Sequence, residues 1–421
     1  MNTVILRILS TLFIVLAMDL YAYQAFKTAF KFRALPWVYW GTSLALVVWT
    51  LYVAFTINRS DPAVTKQYMY VFGAMILFLM PKMLVGGILL VEDTVRFFGW
   101  LANGAQRLAS STPPDDAWFQ TGRRAAVSRI ALGVAVIPFV SILYGMARGR
   151  YRFRVVAHEL EFPDLPEAFD GYRIIQISDI HSGSFDNRAM VEYGVDLINQ
   201  QGADLVLFTG DMVNNVADEL VEWKDVFGQI KAPDGVFSVL GNHDYGDYVG
   251  WPSAEAKQAN LERLVQHQTD MGFQLLRNEH RVLHRGSDRL VIAGVENWGF
   301  PPFPKYGDLN RTLQGLSPND FTVLMSHDPS HFEGEVKTHP HRIALTLSGH
   351  THGMQFGIEI PGFRWSPVKY RYPRWAGIYR EANRILHVNR GFGYLAFPGR
   401  VGIWPEITAI TLRRREGNEI K

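Results

Sequence analysis

Apolar and polar positions divide this chain into two unlike parts. Over residues 1–146 apolar residues run in long stretches; over residues 147–421 they form short runs broken by turns. A helix that crosses a bilayer needs roughly 20 largely apolar residues. Four segments approach that. Residues 34–57 and 130–146 carry no charge. Residues 68–91 are long enough but contain Pro81-Lys82, which predicts a kinked span. Residues 8–25 are the weakest, with Asp19 inside them. A cleaved signal peptide is the rival reading of that first segment. No small-x-small cleavage site stands out and more apolar segments follow, so an uncleaved helix is expected. Asp19 reads as a carboxylate near the interface or facing another helix; the sharper alternative is an intramembrane functional site. Residues 92–124 read as a loop with an amphipathic piece over 97–108.

Charge flanking these segments is nearly balanced. Lys27, Lys31 and Arg33 follow the first, and Arg96, Arg107, Arg123 and Arg124 precede the last. With those on the cytoplasmic side, the C-terminal half lies outside. Arg148, Arg150, Arg152 and Arg154, with Arg59 and Lys66, argue the opposite. The run Thr121-Gly122-Arg123-Arg124 before an apolar stretch has the form of a twin-arginine export signal, though two stop-transfer arginines look the same. The expectation is a multi-pass protein of the inner (cytoplasmic) membrane with an extracytoplasmic C-terminal domain.

The C-terminal part alternates strands and helices. Residues 173–178, 203–208 and 235–240 read as buried strands, with helices over 187–200 and 216–230 between them. This β-α-β-α-β rhythm argues for an α/β domain with parallel strands. Later strands are expected over 273–284, 288–296, 320–326, 343–348, 385–389 and 407–412, without helices between most of them, which suggests a second sheet packed on the first.

Polar motifs fall where these strands end, the place where open α/β sheets bind ligands. In order they are Asp179-Ile180-His181, Gly210-Asp211, Gly241-Asn242-His243-Asp244, Ser326-His327-Asp328 and Gly349-His350-Thr351-His352. In extended backbone, residues two apart point the same way, so Asp179 and His181 can reach one ion. A carboxylate such as Asp211 has two oxygens and can bridge two ions. Any one of these motifs is commonplace; the five together, in this order, are not. Oxygen and imidazole donors without thiolate suit Mn, Fe or Zn. The chain has no cysteine, which excludes disulfides and thiolate zinc sites. With a net charge of +2 over 421 residues, no strong field toward nucleic acid is implied and no stable nucleic-acid partner is expected.

The arrangement from about Tyr172 to about Leu412 resembles the calcineurin-like metallophosphoesterase superfamily, and the run from Gly171 to His181 resembles its membrane-associated bacterial branch. The resemblance implies a double β-sandwich flanked by helices, following the N-terminal transmembrane helices. It implies one metal on Asp179, His181 and His352, Asp211 as the bridge, and a second metal on Asn242, His327 and His350. It also implies His243 as a non-ligand general acid with Asp244 orienting it. Hydroxide formed between two such cations attacks phosphorus in line with the leaving oxygen. The alternative is a non-catalytic metal-dependent binding or scaffold module at the membrane.

Substrate identity is less legible. Residues 361–380 interleave Arg364, Lys369, Arg371, Arg374 and Arg380 with aromatic residues and contain no acid. That composition suits an anionic headgroup at a membrane interface, or nucleotide stacking. Residues 298–306, rich in proline and aromatics, read as a second rim loop. A phosphodiester or pyrophosphate, lipid-linked or of the envelope, is the expected substrate class, with membrane lipids as partners. The expected division is a membrane region over 1–146 and a catalytic domain over 147–421.

Overall fold

The computed structural model describes residues 2–56, 62–109, 121–301 and 303–415. It divides into two compact units, Met1–Thr56 with Tyr70–Tyr144, and Gly145–Lys421 with Ile57–Met69.

The first unit is helical. Its helices are α1 (Asn2–Ala29), α2 (Leu35–Thr56), α3 (Pro62–Ala109) and α4 (Thr121–Ala147). Among the described residues, three stretches are long and apolar enough to cross a membrane: Leu35–Thr56, Lys66–Gln106 and Gly122–Ala147. α1 is helical as expected but is not one of these. α3 runs on through Pro81, although the proline has no N–H for the Leu77 carbonyl. It also continues to Ala109, so residues 92–109 are one long helix with the span and not a loop carrying a separate amphipathic piece. Residues 110–120 of that expected loop lie outside the described residues. Alanines form the contacts: Ala22 and Ala25 of α1 meet Val85 and Leu89 of α3 and Ala131 and Ala135 of α4. Small side chains allow the close helix approach on which packing depends in lipid.

Two ionic clusters lie within this unit. Lys82 Nζ sits 2.6 Å from Asp19 Oδ1 and 2.8 Å from Ser43 Oγ, and Tyr39 donates to the Asp19 carbonyl. Asp19 therefore faces another helix and is paired, which is the plainer of its two sequence readings. Arg124 pairs with Glu92 and with Asp93 at 2.8 Å. One of the two arginines in the export-like motif is thus engaged inside the unit.

The second unit contains β1 (Arg154–Phe162), β2 (Arg173–Ile177), β3 (Leu205–Phe208), β4 (Val236–Ser238), β5 (Phe273–Leu275), β6 (Glu279–Arg285) and β7 (Asp288–Gly294). It continues with β8 (Thr322–Met325), β9 (Leu345–Ser348), β10 (Ile358–Ile360), β11 (Phe363–Trp365), β12 (Gly377–Glu381), β13 (Arg384–Val388) and β14 (Glu406–Arg414). One six-stranded sheet has the order β1-β14-β2-β3-β4-β5 and the other β12-β13-β9-β8-β7-β6. Strands β2 to β5 are mutually parallel, as are β13, β9, β8 and β7.

Strand alternation explains the layering. Ile174, Leu205 and Leu207 point into a core shared with Leu290, Val323, Met325 and Leu347 of the facing sheet. Ile175, Ile177, Val206 and Phe208 point the other way, onto α5 (Arg188–Asn199) and the turns beyond it. A third core covers the outer side of the second sheet with Leu324, Phe332 and Val388. The result is two sheets face to face with helical cover on both sides.

Two expected elements differ. Residues 216–230 form a 3-10 turn, Ala217–Trp223, and one short helix, Lys224–Phe227, instead of a long helix. Residues 273–284 are two strands, β5 and β6, in different sheets.

Candidate metal centre

All five motifs sit just past the carboxyl ends of parallel strands. Asp179 and His181 follow β2, Asp211 follows β3, and Asn242, His243 and Asp244 follow β4. His327 follows β8, and His350 and His352 follow β9. The turns are tight enough that Asp179, His181, Asp211, His350 and His352 all adopt positive φ, between 49° and 71°. Non-glycine residues pay for that conformation and cluster at functional sites when they adopt it. Glycine is required beside them: a Cβ on Gly241 would clash with the Asp211 carboxylate, and one on Gly349 with Ser178 and the Asp179 carboxylate.

The side chains converge on two groups, Asp179 with His181 and His352, and Asp211 with His327 and His350. In the first, His181 Nε2 lies 3.0 Å from His352 Nε2, which lies 3.2 Å from Asp179 Oδ1. In the second, His327 Nε2 lies 3.3 Å from His350 Nδ1. Asn242 Oδ1 joins that group, 2.8 Å from His350 Nδ1 and 3.2 Å from His327 Nε2. Asp211 stands between the groups. Its Oδ2 is 3.1 Å from His327 Nε2 and 3.5 Å from His181 Nε2. Imidazole lone pairs facing one another this closely, with buried carboxylates around them, need positive charge between them. The donor set therefore fits two divalent ions.

The electrostatics agree. Burial alone pushes Asp211 and Asp179 up. The imidazoles of His327 and His243 nonetheless hold Asp211 well below the carboxylate range, and those of His352 and His327 do the same for Asp179. Burial pushes His181, His350 and His243 down, toward the neutral form that ligates. His327 is the exception: burial lowers it, but Asp211 beside it raises it to about 10.

A second layer fixes each ligand. His327 Nδ1 bonds the Thr209 carbonyl at 2.8 Å, so its Nε2 faces the centre. His350 Nε2 meets Tyr372 Oη at 2.7 Å, leaving Nδ1 to face inward. Asn242 Nδ2 donates to Tyr248 Oη at 2.8 Å, which turns Oδ1 inward. Asp179 accepts from the His350 N–H, linking motifs from the two sheets. Such outer partners set tautomer and orientation. Tyr248 and Asn214 had no signal in the sequence; Tyr372 stood only among the aromatics of residues 361–380.

His243 lies beside the first group, its ring 5.0 Å from that of His181. The expected Asp244–His243 contact is replaced by another. His243 Nδ1 bonds the Asn214 carbonyl at 2.6 Å. The Asp244 carboxylate instead accepts from the backbone N–H groups of Asp211, Gly241, Met212 and Val213, at 2.8–3.3 Å. It pins two motif turns together, because it sits under the loops and not beside the ring. Burial and the Asp211 charge push Asp244 up to about 7. The Asn214 loop is held by Glu219, which accepts from the N–H groups of Asn214, Asn215 and Val216.

The rim comes from the two stretches the sequence suggests. Phe303 meets the His350 ring edge-on at 5.0 Å, and the Phe300 N–H donates to Asp328 at 3.0 Å. A pocket of about 510 Å³ opens beside Tyr372, lined by Trp298, Phe300, Glu333, Arg371 and Arg374. Residues 361–380 are not one loop: they comprise β11, a 3-10 turn and the approach to β12, with Tyr372 and Trp375 buried.

Comparison with known families matches residues 172–354 to the calcineurin-like phosphoesterases, and residues 3–150 to a domain described as a probable calcineurin-like phosphoesterase transmembrane domain. A metallophosphoesterase of Bacillus subtilis, YkuE, is 30% identical over 278 residues, covering 64% of this chain and 90% of its own length. The chain belongs to the calcineurin-like metallophosphoesterases. A zebrafish (Danio rerio) transmembrane protein with a metallophosphoesterase domain is 29% identical over 66% of this chain, which spans only 62% of that relative's length. A Chlamydia trachomatis protein named as a UDP-2,3-diacylglucosamine pyrophosphatase, LpxG, is 28% identical over 55% of this chain and 81% of its own length. This metallophosphoesterase thus joins a phosphoesterase domain to a transmembrane domain, and is a membrane protein.

Proposed function

We propose that residues 147–421 hydrolyse a phosphodiester or pyrophosphate bond of a lipid-linked or envelope substrate, and that residues 1–146 hold them at the inner membrane. Asp211 carries this reading, since one carboxylate oxygen lies within 3.5 Å of an imidazole from each donor group. Asp179, His181 and His352 would hold one divalent ion, and Asn242, His327 and His350 the other, with Asp211 shared. Mn, Fe and Zn all suit these donors. The chemistry that two ions supply at such a centre is water activation and neutralisation of charge on phosphoryl oxygens.

The remaining work falls to His243. Its Nδ1 proton is committed to the Asn214 carbonyl, so Nε2 is the nitrogen available to the leaving oxygen. A phosphate brought into the site favours the imidazolium through the same attraction that Asp211 already exerts. Proton delivery from Nε2 to the departing alkoxide follows as general acid catalysis. The name of the Chlamydia relative supports a glycolipid pyrophosphate as one form of the substrate. The flanking charges are nearly balanced, and the export-like run Thr121-Gly122-Arg123-Arg124 tips the reading toward an extracytoplasmic catalytic domain.

The test uses the full chain in nanodiscs, loaded with Mn, on bis-p-nitrophenyl phosphate, p-nitrophenyl phosphate and UDP-diacylglucosamine. His243→Ala should lower turnover by roughly 10²–10⁴-fold with metal content intact. Asp211→Asn should lose both turnover and bound metal. Full activity in either variant would overturn the assignment.

A further inference from the structure

Residues 145–415 expose ten large apolar side chains among those described, and five of them fall within 354–370: Met354, Ile358, Ile360, Phe363 and Tyr370. Chance does not gather half of them into so short a stretch. The stretch contains the two-stranded hairpin β10–β11, in which Ile358 opposes Trp365, Glu359 opposes Arg364 and Ile360 opposes Phe363. Opposed residues share a face and successive residues alternate. The hairpin therefore has one apolar face and one charged face.

The charged face is the anchored one. Glu359 pairs with Arg390 at 2.5 Å, and the Arg364 guanidinium lies over Trp375 at 5.2 Å and Tyr379 at 5.9 Å. That leaves the apolar face outward, with Ile360 59% and Phe363 52% exposed. The tip is Pro361-Gly362, uncharged and with Gly362 at a φ of 79°. A two-stranded ribbon is marginal in water, and an exposed apolar patch on a stable domain marks a contact surface.

Charge selects the partner. Arg364, Lys369, Arg371 and Arg380 are exposed along and beyond the hairpin. The acids of residues 354–381, Glu359 and Glu381, are each paired with an arginine. An apolar tip with a cationic surround suits the interfacial layer of an anionic bilayer, and this chain is a membrane protein. We propose that the β10–β11 hairpin inserts its apolar face into an anionic lipid surface. The hairpin is also a near neighbour of the metal centre along the chain. His352 leads through the turn His352–Gln355 into the hairpin, and Ser366 Oγ on the hairpin's far side donates back to the Gly353 carbonyl at 2.8 Å. Docking there would bring the centre to phosphates at headgroup depth. The inference deepens the lipid-linked reading, but its test does not depend on turnover.

The natural chain has no cysteine, so a single label can be placed without background. The full chain carrying F363C is labelled with an environment-sensitive fluorophore in nanodiscs of phosphatidylcholine with about 30% phosphatidylglycerol. V221C, also exposed, serves as the control position. Lipid-borne doxyl groups should quench the Phe363 position at least about 3-fold more than the Val221 position, and less in phosphatidylcholine alone. I360D added to F363C should abolish the difference while bis-p-nitrophenyl phosphate turnover stays unchanged. Equal lipid quenching at both positions, with aqueous iodide reaching the hairpin label, would overturn the proposal. Shielding from both iodide and lipid would overturn it too, and would point to a protein cover. Loss of turnover in every form, with hairpin quenching intact, would count against the hydrolase reading alone.

Discussion

At the scale of single residues, the site depends on groups that bind no metal. Asn242 offers its oxygen only because Tyr248 holds its amide nitrogen. Tyr248→Phe should therefore weaken metal binding by roughly 10–100-fold, measured by competition with a chromophoric chelator. Unchanged affinity would show that the amide is oriented by the ion itself. Glu219 gives a pH signature. Burial raises it from 4.5 to about 7, above its unfolded value. Its contribution to stability is fully present below about pH 4.5 and is lost as pH rises through about 7. Relative to the parent, Glu219→Gln should gain thermal stability between pH 5 and pH 8. A constant difference in Tm across that range would refute the assignment.

At the scale of elements, what could be read in the sequence was what obeys a simple period. Ile174 facing one core and Ile175 and Ile177 the other follow from strand alternation. The helix Arg188–Asn199 buries Val191, Val195 and Ile198 at helical spacing. The 17-residue helix Ala254–Asp270 has no such signal. Two of its four buried residues are Asn260 and Gln268, which bond the Ala217 N–H and the Ser238 hydroxyl. Residues 216–230 look helical by composition, but Glu219 turns back on three N–H groups and tightens the first turn to 3-10. The motif residues were legible because their types and order are unusual. The role of Asp244 was not, because a carboxylate that serves backbone N–H groups leaves the same letter as one that serves a histidine. The β10–β11 hairpin was legible as composition and not as structure, since three-residue strands are too short to show alternation.

At the scale of the whole molecule, the helical unit has its own constraint. Asp19 and Lys82 are both buried and depend on each other. Lys82→Met would leave a carboxylate unpaired in an apolar bundle, at a cost of about 3–5 kcal/mol, and Asp19→Leu combined with it should recover most of the loss. Unfolding in detergent distinguishes the cases: equal destabilisation by the single and the double variant would mean that the pair is not coupled. In the other unit, the donors divide between the sheets. Asp179, His181, Asp211 and Asn242 hang from one, and His327, His350 and His352 from the other. The apolar layer between the sheets is therefore a spacer that sets the gap across which the two ions must be shared. Trimming Ile174 or Val323, both in that layer, would change the width of that gap. The hydrocarbon interior of this domain thus acts as the gauge of its inorganic chemistry.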